Sequence, residues 1–200
     1  MKTILVTGVS GSLAALCAER LLEEGHEVIG VDYRRKKAGL KSGIPFYQAN
    51  YNKRRIEDVF RKHTPEAVLH LGRVGNLKTH SDKRFDLNVL GSAKIFDLCA
   101  QYGVQRLVVL STFHIYGAHP HNHIPISEDE PLRAVGPGPA FWRRRMEERA
   151  ARLLPDLRPS LQVSFVRACA VAGGGNETSS PVLPFLCLPW ARLMPALSDP

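Results

Sequence analysis

Thr3-Ile4-Leu5-Val6-Thr7-Gly8-Val9-Ser10-Gly11-Ser12-Leu13-Ala14 opens the chain with a continuous apolar run, a glycine turn and the start of an amphipathic stretch. Residues 3–6 read as a strand and 13–24 as a helix, with Gly25 placed to end it as a C-cap does. Glycines at 8 and 11 let the backbone turn tightly and approach an anion, which then rests on the helix N-terminus. Ala14 takes the small position where the helix packs closely on the strand. A glycine turn alone is common. This one is answered by Asp32, at the end of the next apolar run at 27–31, where an acid accepts hydrogen bonds from the ribose of a dinucleotide. Ser10, Ser12 and Leu13 on the loop, with Tyr33 and Arg34 after the acid, complete this end of the candidate dinucleotide pocket. Asp32 favours NAD, because its charge repels the 2′-phosphate of NADP. Arg34, Arg35, Lys36 and Lys37 follow at once and reverse that preference if they form a phosphate clamp rather than a solvated basic loop. Both cofactors therefore stay open at this stage.

Beyond the loop, apolar runs continue to alternate with helical patterns. Strands are expected at 45–49, 67–71, 105–110 and 162–166, and helices at 56–62, 85–102 and 141–154. A loop rich in His, Pro and Gly fills 117–139. Strands that are apolar throughout and separated by helices indicate a parallel sheet covered on both faces. The expected fold class is α/β, a doubly wound, mainly parallel sheet of the Rossmann type over residues 1–175. Residues 176–200 read as a proline-rich tail.

Two hundred residues with 44% hydrophobic and 23% charged side chains suit one well-filled core and exclude a disordered or fibrous chain. The 27 basic against 19 acidic residues give a net charge of +8, which suits anionic partners without choosing among them. Nucleic acid is disfavoured, since the basic residues are dispersed without interleaved aromatics or a known module. The longest apolar stretch, 181–197, contains four prolines and Arg192 and cannot be a membrane span. No signal-peptide pattern stands at the N-terminus, and Cys17, Cys99, Cys169 and Cys187 are scattered without CxxC spacing, so reduced thiols in a cytoplasmic protein are expected. His114, His119, His121 and His123 cluster, yet alternate histidines in an extended loop point to opposite faces and no acid or cysteine completes a set, so no metal is expected.

Several ordered motifs resemble those of the extended short-chain dehydrogenase/reductases, in particular the NAD-dependent epimerase/dehydratase family of nucleotide-sugar enzymes. His70-Leu71-Gly72 resembles the family's His-Leu-Ala-Ala, and Asn88-Val89-Leu90-Gly91-Ser92 its Asn-Val-x-Gly-Thr helix. Ser111-Thr112-Phe113-His114-Ile115-Tyr116-Gly117 is similar to its Ser-Ser-x-x-Val-Tyr-Gly strand end, and Arg167 falls on the arginine of its sixth strand. The resemblance implies that Gly8, Gly11 and Ala14 hold a pyrophosphate and Asp32 a ribose. It places Asn50 and Tyr51 beside the adenine, and Leu71, Gly72 and Arg73 under the cofactor, with Asn88 nearby. Thr112 matches the catalytic Ser/Thr whose hydroxyl holds the sugar oxygen. A nucleotide-sugar partner and a homodimer formed through the helices at 85–102 and 141–154 are also implied.

The same resemblance exposes a loss. The family's Tyr-x-x-x-Lys pair supplies a proton carrier and a lysine that lowers its pKa, because a free phenol titrates near 10. All nine lysines of this chain lie at or before Lys94, and its last tyrosine is Tyr116. Aligning the motif on the helix at 141–154 puts Phe141 on the tyrosine and Arg145 on the lysine. Arg145 can still bond ribose hydroxyls. His114, two residues after Thr112, is a candidate replacement proton carrier, since imidazole titrates near neutrality. Family members also continue into a substrate domain past the position of Pro200, so the tail is expected to lead toward a domain this sequence lacks. Two functions follow: hydride-transfer chemistry on a nucleotide-sugar, or a non-catalytic dinucleotide-binding sensor or partner subunit.

Overall fold

Six strands form one sheet: β1 (Thr3–Thr7), β2 (Glu27–Asp32), β3 (Phe46–Gln48), β4 (Ala67–His70), β5 (Arg106–Leu110) and β6 (Gln162–Val166). The computed structural model describes residues 1–35, 40, 42–72, 80–136, 139–157 and 160–168. Arg73, the tail at 176–200, Cys169 and Cys187 lie outside these, while Cys17 and Cys99 are free thiols. The strand order is β3-β2-β1-β4-β5-β6 and every pairing is parallel. This is the doubly wound sheet that the alternating pattern implies. Its order reverses at β1, which has β2 on one side and β4 on the other, and crevices for ligands open at the carboxyl ends of strands at such a point.

The helices are α1 (Ser12–Glu23), α2 (Arg54–His63), α3 (Ser81–Phe85), α4 (Gly91–Gln101) and α5 (Pro139–Leu157). They explain why the strands are apolar on both sides. Leu5, Ile29, Val68, Leu107 and Val109 are buried in one cluster with Ile56 and Phe60 of α2, Ile95 and Leu98 of α4 and Met146 and Ala150 of α5. Ile4, Val6 and Val28 are buried in a second cluster with Ala14 and Ala18 of α1. Removing that apolar surface from water on both faces is the main force holding the sheet. Gly25 follows α1 at φ +83°, as expected of a residue that ends a helix in the left-handed region.

One element differs from its sequence pattern. The single helix expected at 85–102 is broken by a π turn at Asp86–Leu90 between α3 and α4. The Ser92 hydroxyl donates back to the Asn88 carbonyl at 2.8 Å, and such back-bonding distorts the regular ladder. Among the described residues no helix is long and apolar enough to cross a membrane, and no three His, Cys, Asp or Glu side chains gather as a metal site. His119 instead lies against His121, with ring centroids 5.3 Å apart, and His123 bonds Glu130.

Candidate functional site

The glycine loop, Asp32, Leu71-Gly72, Thr112 and Arg167 follow or close successive strands, so the parallel sheet brings them to one edge. At Gly8 the backbone turns at φ +78°, and a Cβ there would stand 2.6 Å from the Gly72 Cα. Two main chains pass at contact, and glycine at position 8 is a steric requirement. Gly11 is the N-cap of α1 and offers no side-chain cap, and no acidic residue stands in the first turn. The first amides of α1 are therefore available to an outside acceptor, which is the donor set a pyrophosphate needs. Ser10 and Asp32 brace this loop, the Ser10 N–H donating to an Asp32 carboxylate oxygen at 3.0 Å. Asp32 is fully buried and also accepts from the backbone and guanidinium of Arg34. That bond is the leading cause holding the Arg34 pKa above its ordinary value.

Behind the loop runs a buried polar chain. The Gly72 N–H donates to Thr7 Oγ1 at 3.1 Å, and Thr7 Oγ1 lies 2.8 Å from His70 Nδ1. His70 Nε2 lies 2.8 Å from Ser92 Oγ, whose own proton goes to the Asn88 carbonyl. Each hydroxyl has one proton, so Ser92 accepts from His70 Nε2–H while Thr7 donates to Nδ1. The chain is satisfied only by a neutral imidazole. Burial, with the nearby Arg143 charge adding to it, pushes His70 down to about 3.

Asn50 Oδ1 accepts from the Asn52 N–H at 3.0 Å, capping its own turn. Tyr51 is buried, edge-on to His70 with centroids 5.7 Å apart, and its hydroxyl has no partner. Burial is the chief cause of a phenol pKa far above the usual one. Asn88 is buried beside this network.

At the end of β5, Thr112 is the N-cap of a short 3-10 turn, Phe113–Tyr116. Its hydroxyl lies 2.9 Å from His114 Nδ1, so the candidate sugar-holding group and the candidate proton carrier are in contact. On α5 the structure separates the arginines. Arg145 is 55% exposed and paired with Glu148 at 3.6 Å. Arg144 donates to the carbonyls of Leu132 and Ala134 and stacks on Phe141. Arg143 is the buried one and donates to the Leu110 carbonyl at the end of β5. Four residues on, buried Glu147 pairs with Arg167 at 2.9 Å, and Arg167 also bonds the Tyr116 hydroxyl at 2.7 Å. Motif alignment passed over Arg143 and Glu147. The signal that finds them is the apolar stripe Met146, Ala150 and Leu154, which puts positions 143 and 147 on the inward face and 145 off it.

The model of the NAD dependent epimerase/dehydratase family matches residues 4–184. The chain belongs to this family. A UDP-glucose 4-epimerase of Neisseria meningitidis serogroup A is 28% identical over 220 aligned positions, covering 99% of this chain and 64% of the relative. The crystal structure of the family's UDP-glucose 4-epimerase from Thermotoga maritima with UDP-glucose matches with a TM-score of 0.75 and 26% identity, over 86% of this chain and 56% of that one. The UDP-glucose 4-epimerase of Thermus thermophilus, solved as a complex with NAD, matches with a TM-score of 0.71 and 28% identity, over 82% and 54%. The chain thus spans between about half and two thirds of the length of these family members, at 54% to 64%.

Proposed function

We propose that this protein binds a nicotinamide dinucleotide over the glycine loop and acts on a nucleotide-sugar, with residues 1–175 as the dinucleotide-binding domain. The observation that carries the reading is the uncapped start of α1 beside the Gly8–Gly72 contact, a cradle of backbone N–H groups that suits a pyrophosphate. Family membership supports it, as do relatives solved with NAD and with UDP-glucose. The nicotinamide, when bound, supplies a reversible hydride acceptor.

What the chain itself supplies is orientation and proton handling. Thr112 offers its hydroxyl to the sugar oxygen, and His114, bonded to that hydroxyl through Nδ1, takes the proton. Arg143, held inward at Leu110, offers a fixed cation beside the strand ends, the part that alignment gave to Arg145. The rival reading, a non-catalytic dinucleotide-binding sensor or partner subunit, rests on the missing tyrosine and lysine. Calorimetric titration with dinucleotides, followed by turnover assays on a panel of nucleotide-sugars, separates them. Turnover that His114→Ala abolishes without weakening dinucleotide binding is the expected result. Binding without turnover selects the rival, and no binding of any dinucleotide overturns both.

A further inference from the structure

Helix α2 runs back toward the start of β4, so its last turn lies away from the strand ends that form the candidate site. A polar cluster stands there. Lys62 Nζ donates to the Tyr47 hydroxyl at 2.9 Å, and the same hydroxyl lies 2.8 Å from His63 Nε2. The Tyr47 and His63 rings meet edge-on with centroids 5.3 Å apart. Tyr47 belongs to β3, which closes one edge of the sheet, so the cluster ties α2 to that edge strand. An ammonium is a donor only. Tyr47 therefore accepts from Lys62 and turns its single proton to His63 Nε2, which takes it only while that nitrogen is bare. A proton on Nε2 points at the phenol instead, and sets imidazolium and ammonium against one neutral oxygen. The charged groups facing the imidazole are Lys62 on its own helix and Glu27 on β2, which already accepts from the Thr3 hydroxyl at 2.8 Å. Burial, and after it the Lys62 charge, hold the His63 pKa below its ordinary value against the opposing pull of Glu27.

The residue that follows is strained. Thr64 caps α2 at φ +41° and ψ +59°, and among the described residues no other non-glycine has a positive φ. A β-branched side chain is disfavoured there, and Pro65 pushes its predecessor toward extended backbone. Such a conformation persists only where its surroundings over-determine it. The Thr64 N–H holds the turn from within, donating to the Phe60 carbonyl at 2.8 Å, and the bonds of Lys62 and His63 hold it from the sheet. We propose that Lys62, Tyr47 and His63 form a pH-sensitive latch, which fastens the strained last turn of α2 to edge strand β3 and releases it when His63 is protonated. Protonation removes the acceptor for the Tyr47 proton and adds repulsion from Lys62. The turn then loses its hold on the sheet and relaxes out of the left-handed conformation at Thr64. The latch is closed at neutral pH and opens as the pH falls below the ordinary histidine range.

The test is hydrogen exchange on the full chain at about pH 7.5 and about pH 5.5, read as protection relative to the free-peptide rate at each pH. Protection of the amides at 46–48 and 60–64 should fall by about three- to tenfold at the lower pH, the worth of one side-chain hydrogen bond. Amides of β1, at the centre of the sheet, should stay better protected, which shows that the opening is local. His63→Gln, which can accept from the phenol but cannot titrate, should keep its neutral-pH protection at both values. Tyr47→Phe, which has no hydroxyl, should show the reduced protection at both. Circular dichroism and thermal melting show that each variant is folded. A parent whose protection at these amides does not change with pH overturns the latch. So does a His63→Gln that loses protection as the parent does, or a Tyr47→Phe that keeps the full response. No ligand enters the experiment, so its outcome is independent of the dinucleotide reading.

Discussion

Tyr51 and Gly72 occupy one another's space. A Cβ on residue 72 would lie 2.4 Å from the Tyr51 hydroxyl oxygen and 2.7 Å from two of its ring carbons. The tyrosine after Asn50 and the glycine after Leu71 are therefore one packing solution. Gly72→Ala should destabilise by about 1–3 kcal/mol, the usual cost of overpacking a filled interior. The cost should shrink when Tyr51 is also replaced by Leu, and a double-mutant cycle from urea unfolding measures that coupling. Independent costs for the two changes would show that they are not in contact. Tyr51→Phe tests the same ring differently. Its hydroxyl is buried without a partner, so removing it should be neutral or stabilising by roughly 1 kcal/mol in the same assay.

Helix α5 shows where element-scale reasoning outperforms motif alignment. Met146, Ala150 and Leu154 face the core, and helical spacing carries that stripe back through Glu147 to Arg143. Arg143→Ala should cost roughly 1–3 kcal/mol, because it leaves the Leu110 carbonyl short of a buried partner and opens space. Arg145→Ala should fall within about 0.5 kcal/mol of the parent, since an exposed pair contributes little. Equal losses in chemical denaturation would reverse this assignment of inward and outward arginines. The stripe, the strand runs and the glycine loop were legible in the sequence because each is a local pattern with a fixed period. The π turn and the Asn50 turn bond were not, because their causes lie in a Ser92 back-bond and an Asn52 amide that no hydrophobic period records. The capture of Asp32 by Arg34 was hidden for a related reason: four basic residues follow the acid, and only geometry selects one of them.

Across the whole molecule the His70 chain links three elements of the fold: β1 through Thr7, β4 through His70 itself, and α4 with its π turn through Ser92 and Asn88. A network in which every donor has one assigned acceptor holds these elements in register, and it tolerates a single protonation state. A proton on His70 Nδ1 would face the Thr7 hydroxyl proton, inside the core and near the Arg143 charge. The folded chain therefore keeps His70 neutral down to about pH 3, whereas the unfolded chain takes up the proton near 6.5. Between those values the unfolded state binds the extra proton, so stability present above pH 6.5 is lost as the pH falls through that window. Lowering the pH to about 5 should remove roughly 2 kcal/mol through this one group. Other paired carboxylates add their own acid sensitivity at lower pH, so the comparison that isolates the histidine is His70→Gln, which keeps a polar side chain but cannot titrate. Urea unfolding of both proteins between neutral pH and about 5 should give a steeper decline for the parent than for the variant. Parallel slopes would mean that His70 takes up its proton in the folded protein as readily as in the unfolded chain, with an Nδ1–H donating to Thr7 Oγ1.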